Sequence, residues 1–145
     1  MAGLEIREMN PSDASFLVEL YKHLGYPTAE FELKGRLEKL LSHEDYCGFV
    51  AVEQGKICGA IGLSKGLMFE FDGCYLKVAM LVVGESMRGR GIGKRLMEKA
   101  EKYAKSQGAL SVTLNSGNRA ERKKAHEFYE HLGYLPKSLG FSKDI

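Results

Sequence analysis

The chain has 145 residues, of which 44% are apolar and 28% charged, as in ordinary soluble globular domains. This length favours a single domain over residues 1–145 with a core large enough to need no disulfide or metal. The net charge of +2 is too small to indicate nucleic-acid binding, and no apolar run approaches the roughly 20 residues of a membrane span.

The first part of the chain predicts a strand and two helices. The strand lies around Leu4 and Ile6, and Asn10-Pro11-Ser12-Asp13 is typical of a helix start, because Asn can cap and Pro suits the first helical position. Apolar residues at helical spacing then predict a helix that ends at Gly25 and a second helix capped by Thr28.

From residue 46 the apolar pattern changes to that of strands. Residues 49–52 and 57–63 predict two strands joined by a tight turn, and the small residues of the second strand indicate close packing or a bulge. Residues 64–73 are the least regular stretch, which predicts a loop. Residues 75–83 are apolar on both faces and predict a buried strand.

The remaining elements alternate between helix and strand. A helix from about Lys94 ends at Gly108, and residues 110–114 predict a strand. Asn118 and Glu121 resemble a capping box for a last helix. Residues 134–135 and 139–141 predict a final short strand or hairpin. This order predicts an α/β three-layer fold, with a mixed central β-sheet and helices on both faces.

Three cysteines, Cys47, Cys58 and Cys74, are scattered along the chain without a metal-ligand spacing. Such a set is typical of reduced thiols in a cytoplasm. The N-terminus lacks the basic and apolar blocks of a signal peptide. We therefore expect a cytoplasmic protein that binds no metal, no nucleic acid and no membrane.

The stretch from residue 81 to 96 reads LVVGESMRGRGIGKRL and predicts an anion site. Gly89, Gly91 and Gly93 lie between a strand and a helix, where glycine lets the backbone turn tightly and approach a ligand. The first turn of the helix adds free N–H groups and the positive end of its dipole. Basic side chains surround these groups, which favours phosphate: Arg88, Arg90, Lys94 and Arg95.

The spacing of this loop excludes two common phosphate sites. Lys94 is followed by Arg95 instead of Ser or Thr, so the stretch is not the phosphate loop of ATPases. The glycines run G-x-G-x-G, which is not the dinucleotide fingerprint. A glycine-rich helix start with a solvated basic face is the alternative.

Two motifs resemble the Gcn5-related N-acetyltransferases. Arg88-x-x-Gly91-x-Gly93 is similar to the Q/R-x-x-G-x-G/A signature of that family. A second family segment resembles a stretch further along this chain, Arg122-x-x-Ala125-His126-x-Phe128-Tyr129-Glu130-x-x-Gly133-Tyr134. The resemblance covers nearly the whole chain and implies an acyltransferase fold whose mixed sheet is splayed.

The resemblance also implies that acetyl-coenzyme A is the co-substrate. Backbone groups of the strand would pair with the pantetheine arm as if it were another strand, and loop N–H groups would hold the pyrophosphate. The residues so assigned are Leu81, Val82, Val83, Arg88, Gly89, Arg90, Gly91, Ile92, Gly93 and Lys94, with Arg122 and Tyr129 from the last helix.

Tyr129 matches the tyrosine often assigned as general acid to the leaving thiolate, and the alternative is a packed core aromatic. Arg122 lies where relatives often carry Asn. With Arg119, Lys123 and Lys124 it could bind coenzyme phosphates, or form a solvated helix face.

The general base cannot be named from the sequence. Many relatives carry a carboxylate on the strand before the loop, but Val78, Ala79 and Met80 occupy those positions. The other titratable residues near the implied site each have an ordinary structural explanation: Glu70, Asp72, Glu85 and His126. A water relay, or an acceptor amine that arrives already neutral, stays open.

The resemblance implies an N-acetyltransferase in which a primary amine of a small molecule or peptide attacks the acetyl thioester directly. The missing carboxylate leaves a non-catalytic acyl-coenzyme A-binding or sensing module as an alternative. A nucleotide-phosphate binder outside this family is a third. The sequence leaves open which amine is the acceptor, whether the protein forms a homodimer, and whether acyl groups other than acetyl are transferred.

Overall fold

A computed structural model describes residues 3–116 and 122–145. The chain falls into two compact units, Met1–Thr113 and Leu114–Ile145. The larger unit holds a β-sheet and most of the helices, and the smaller unit holds the last helix. The single domain expected from the length of the chain stays a prediction.

Within the described residues the sheet has five strands in the order β1-β2-β3-β4-β5 and is mixed, as predicted. The first four strands are antiparallel neighbours, and helix α3 connects β4 to β5. The strands are β1 (Leu4–Glu8), β2 (Tyr46–Glu53), β3 (Lys56–Leu67), β4 (Cys74–Val83) and β5 (Ala109–Leu114).

The described part of the chain has four α-helices, and short 3₁₀ turns precede two of them. They are α1 (Ala14–Leu24), α2 (Glu30–Leu41), α3 (Ile92–Ser106) and α4 (Lys123–His131), with turns at Pro11–Asp13 and Glu85–Met87. The helix start at Asn10 is confirmed, since its side chain accepts from the N–H of Ser12 at 3.0 Å. The Asn10 N–H donates in turn to the Asp13 carboxylate at 2.9 Å.

The predicted cap of α2 is wrong. Ala29 is the N-cap residue and offers no side-chain oxygen. The Thr28 hydroxyl instead accepts a hydrogen bond from the Arg36 guanidinium at 3.3 Å.

Helices cover both faces of the sheet, as predicted. On β3, Ala60 belongs to the buried cluster formed with Leu17 of α1 and Leu33 of α2. Neighbouring residues of a strand face opposite sides. Accordingly, a Cβ at Gly59 would lie 3.1 Å from side-chain carbons of Ile92 and Leu96 on α3. The sheet is therefore the middle of three layers in the larger unit.

A bulge interrupts the pairing of β3 with β4. Gly62 pairs with Met80, and the next residue, Leu63, pairs with Val78. Ala79 is thus an extra residue on β4 without a directly opposite partner, which kinks the strand and increases its twist. A second bulge lies on β3 itself: Ala51 of β2 pairs with Gly59 and Val52 with Ile57, which leaves Cys58 as the extra residue. This bulge confirms the irregularity expected from the small residues of β3.

Two predictions about irregular segments are wrong. Strand β3 continues to Leu67, because Ser64 to Leu67 pair with Lys77 to Cys74 on β4. The described residues from 134 to the end form no strand. Most of them are exposed, and Pro136 has no N–H to donate to a neighbouring strand. The capping box expected at Asn118 and Glu121 lies outside the described residues.

Candidate functional site

The glycine loop leaves the sheet at the end of β4 and enters α3. After the turn at Glu85–Met87, Arg88 is extended with φ −67° and ψ 152°. Gly89 and Gly91 follow with φ of 79° and 80°. This left-handed region costs side-chain-bearing residues free energy, so the conformation itself requires glycine at both positions.

The N-terminus of α3 has no side-chain cap. Gly91 is its N-cap residue, and the first intrahelical bond runs from the Arg95 N–H to the Gly91 carbonyl at 3.1 Å. The N–H groups of Ile92, Gly93 and Lys94 precede that bond and have no acceptor within the helix. With the positive end of the helix dipole, these groups fit an anion such as a diphosphate.

The basic side chains of the loop are not equivalent. Arg88 and Lys94 are exposed. Arg90 instead donates from Nη2 to the Glu53 carboxylate at 3.0 Å and from Nη1 to the Met87 sulfur at 3.2 Å. Glu53 lies far from Arg90 in the sequence, so the pattern of residues gave no sign of this pair.

The strand that leads to the loop, β4, places its second-last residue in the core. Val82 is buried in the cluster beneath α1 and α2, whereas Leu81 and Val83 are half-buried. Leu81 pairs with Ile61 and Val83 with Gly59 on β3, and β5 adjoins β4 on its other side. Their predicted pairing with a pantetheine arm stays a prediction.

The positions where relatives carry a base hold no titratable group. Val78 is buried, Ala79 is exposed at the bulge, and Met80 packs partly against the core. Glu70 and Asp72 are exposed between β3 and β4. Among the described residues, no group of three or more His, Cys, Asp or Glu side chains could hold a metal ion.

A cleft of about 710 Å³ lies between α1, the β2–β3 turn and residues 84–87. Phe16, Leu20 and Ile57 contribute apolar surface to it. At its rim His23 lies between two carboxylates, with Nε2 3.9 Å from Glu19 and Nδ1 3.7 Å from Glu85. The sequence pattern did not predict this cleft.

In the smaller unit, Tyr129 is half-buried on α4. Its ring makes edge contacts with Phe128 and Tyr134, at centroid distances of 5.2 and 6.3 Å. Burial raises the pKa of its phenol, and the charge of Arg122 opposes that rise by less. The hydroxyl therefore keeps its proton at neutral pH and can donate it. Arg119, expected beside Arg122, lies outside the described residues.

The sequence profile of the Acetyltransferase (GNAT) family matches residues 11–134. The chain belongs to the GNAT family. An uncharacterised N-acetyltransferase of Bacillus subtilis, YhdJ, is 33% identical to this GNAT chain over 117 residues, covering 76% of each. The aminoalkylphosphonate N-acetyltransferase of Salmonella typhimurium is 31% identical over 96 residues, which cover 66% of this chain and 61% of that protein.

Solved structures agree with this assignment. A GNAT family acetyltransferase of Staphylococcus aureus superimposes with a TM-score of 0.86 at 34% identity, over 99% of both chains. The glucosamine-6-phosphate N-acetyltransferase of Arabidopsis thaliana superimposes with a TM-score of 0.83 at 28% identity, over 97% of both. The predicted acyltransferase fold is confirmed. Within the described residues, no helix of this GNAT chain is long and apolar enough to cross a membrane.

Proposed function

We propose that this GNAT protein transfers the acetyl group of acetyl-coenzyme A to a primary amine of a small molecule or peptide. One observation carries the proposal: the uncapped N-terminus of α3, reached through two left-handed glycines in the loop that follows β4. That arrangement presents backbone N–H donors at the place where a diphosphate can approach the chain closely. Members of the family named above for their substrates acetylate small amines, which supports such an acceptor.

The coenzyme, when bound, supplies the activated acetyl thioester. The N–H groups of Ile92, Gly93 and Lys94 would hold its diphosphate, with Arg88 adding positive charge from an exposed position. The backbone of β4 at Leu81 and Val83 would bind the pantetheine amides by hydrogen bonds, on the side where a splayed sheet separates β4 from β5. Arg122 would be a further residue that binds the phosphates of the coenzyme.

Tyr129 would act as the general acid. When the amine nitrogen bonds to the acetyl carbonyl carbon and the carbon–sulfur bond breaks, the leaving thiolate would take the phenolic proton. One proton of the attacking nitrogen would pass to solvent, and the phenolate would regain its proton from solvent. This role requires a protonated phenol, and the Tyr129 hydroxyl, whose pKa is raised by burial, keeps its proton throughout the neutral range.

A non-catalytic acyl-coenzyme A-binding module is the second candidate. The observation that favours it is the hydrophobic set Val78, Ala79 and Met80 at the positions where relatives carry a base. An amine with a pKa near 10.4 is mostly protonated at pH 7 and must lose a proton before it can attack.

A thiol-release assay separates the two candidates. Purified protein is given acetyl-coenzyme A and a panel of amines: aminoalkylphosphonates, amino sugars and their phosphates, polyamines, and peptides with a free N-terminus or lysine. Amine-dependent release of coenzyme A well above the rate without protein supports the transferase. Tight coenzyme binding by calorimetry, without release for any amine between pH 7 and 9, would establish the binding module instead.

A further inference from the structure

The glycine loop has few contacts that hold it in place. Among the described residues, no atom lies within 4 Å of the position that a Cβ would take at Gly89 or Gly91. Earlier in the loop, Glu85 lies 3.7 Å from His23 of α1. Within residues 88–91, Arg90 is the residue whose side chain bonds to the rest of the larger unit, through Glu53. The conformation of residues 88–91 therefore depends strongly on what Arg90 contacts.

Glu53 is a rigid partner for Arg90. It is the last residue of β2, and its backbone lies between two strands, opposite Leu4 on β1 and Lys56 on β3. Its side chain is 18% exposed, against 44% for Arg90, and the two are joined at 3.0 Å. The backbone that carries this partly buried carboxylate is thus paired on both sides in the sheet, while the guanidinium belongs to the weakly packed loop.

We propose that Glu53 is a positioning residue for coenzyme binding. Through Arg90 it holds the loop so that the first N–H groups of α3 are already exposed to a diphosphate before it arrives. A loop ordered in advance loses less conformational entropy when the ligand binds, and this increases affinity. The inference rests on the proposed function, because it takes the α3 N-terminus as the coenzyme site.

The negative charge of Glu53 has an effect on coenzyme affinity that opposes the ordering of the loop. A carboxylate near an anion site repels phosphate, so its removal could strengthen binding. At 3.0 Å, however, the Arg90 charge largely cancels that of Glu53 for a ligand further away. The ordering effect should therefore dominate, and the two explanations predict affinity changes of opposite sign.

The experiment measures the dissociation constant of coenzyme A by calorimetry for three Glu53 variants. Glu53→Ala should weaken binding about tenfold by loss of preorganisation. Glu53→Gln should stay within about threefold of the unmodified protein, because its amide oxygen can still accept from Arg90. Glu53→Asp keeps the charge but shortens the reach, so it should weaken binding as Glu53→Ala does.

Two controls separate positioning from general damage. Pantetheine, which lacks the diphosphate, should bind Glu53→Ala as it binds the unmodified protein, whereas a merely structural defect would weaken both ligands. Glu98→Ala removes an exposed carboxylate from α3 and should leave coenzyme affinity unchanged. In an Arg90→Ala background, Glu53→Ala should cause no further loss, because the pair is already broken.

The outcomes are distinguishable. Unchanged or tighter coenzyme binding by both Glu53→Ala and Glu53→Asp would overturn the positioning role and leave the proposed function standing. If Glu53→Ala does not fold, Glu53→Asp alone decides the same question. Failure of the unmodified protein to bind coenzyme A would overturn the proposed function and the role of Glu53 together.

Discussion

At the residue scale, Gly91 and Gly108 form a matched pair at the two ends of α3. Both have positive φ, 80° and 70°, and among the described residues neither has an atom within 4 Å of its Cβ position. Replacement by Ala should therefore cost each a similar free energy of unfolding, about 1–2 kcal/mol, through backbone strain alone.

Only Gly91 lies at the proposed coenzyme site, so binding should distinguish the pair. Gly91→Ala should weaken coenzyme A binding at least about tenfold, because a Cβ hinders the approach of phosphate to the backbone. Gly108→Ala should leave the affinity unchanged. Urea unfolding and calorimetry on both variants give the comparison, and equal affinities would mean that Gly91 serves only the turn.

At Tyr129, a substitution can remove the hydroxyl alone. Tyr129→Phe keeps the ring contacts with Phe128 and Tyr134 and removes only the proton donor. Turnover at saturating amine should fall about 100-fold, whereas coenzyme affinity should change less than about tenfold. Since the thiol of coenzyme A has a pKa near 8.5, the defect should shrink as the pH rises above that value.

Single-turnover rates below pH 8 are the appropriate measurement for Tyr129→Phe, because product release can mask the chemical step. The unmodified protein under the same conditions is the reference. Rates that agree within a factor of about two would assign Tyr129 a packing role and leave the general acid to another group.

At the element scale, the packing of α3 against β3 depends on a missing side chain. A Cβ at Gly59 would lie 3.1 Å from Ile92 and Leu96 and 3.2 Å from the Val82 carbonyl. At Gly62, on the same strand, the nearest atom is the Met80 Cβ at 3.6 Å, an ordinary contact. Gly59 thus permits the close approach of the helix that carries the loop.

Gly59→Ala should destabilise the protein by about 1–3 kcal/mol, the usual cost of overpacking a close contact. Gly62→Ala should change stability by less than about 0.5 kcal/mol, because its added methyl group meets no close neighbour. Urea unfolding of both variants tests the difference. Equal midpoints would show that α3 can move away from the sheet without cost.

At the scale of the whole molecule, binding should be visible as thermal stabilisation. Acetyl-coenzyme A at 100 times its dissociation constant should stabilise the folded state by about 2.7 kcal/mol by mass action. For a chain of this size, that corresponds to a rise in Tm of about 5–10 °C. ATP and NAD at equal concentration should have much smaller effects, since both lack the pantetheine arm. A comparable shift with ATP would mean that only phosphate is recognised.

The sequence by itself determined the family and most of the secondary structure. Local signals are enough to predict such features. Asn10 caps a helix, and glycine stands at positions 25 and 91, where the backbone has a positive φ. Each depends on a few neighbouring residues, and short-range sterics decide it. The family could be recognised from the sequence because its two motifs, in the loop and around α4, are each short continuous runs of residues.

Only the tertiary structure decided which distant residues meet. Strand β3 extends through Ser64 to Leu67 because β4 offers a pairing partner, which no local pattern in that stretch indicates. The bulge at Ala79 depends on the register between two strands. The contact of Glu53 with Arg90 follows from the order in which strands and loop are assembled. Such contacts depend on packing across the sheet, and a local pattern of residue types does not encode them.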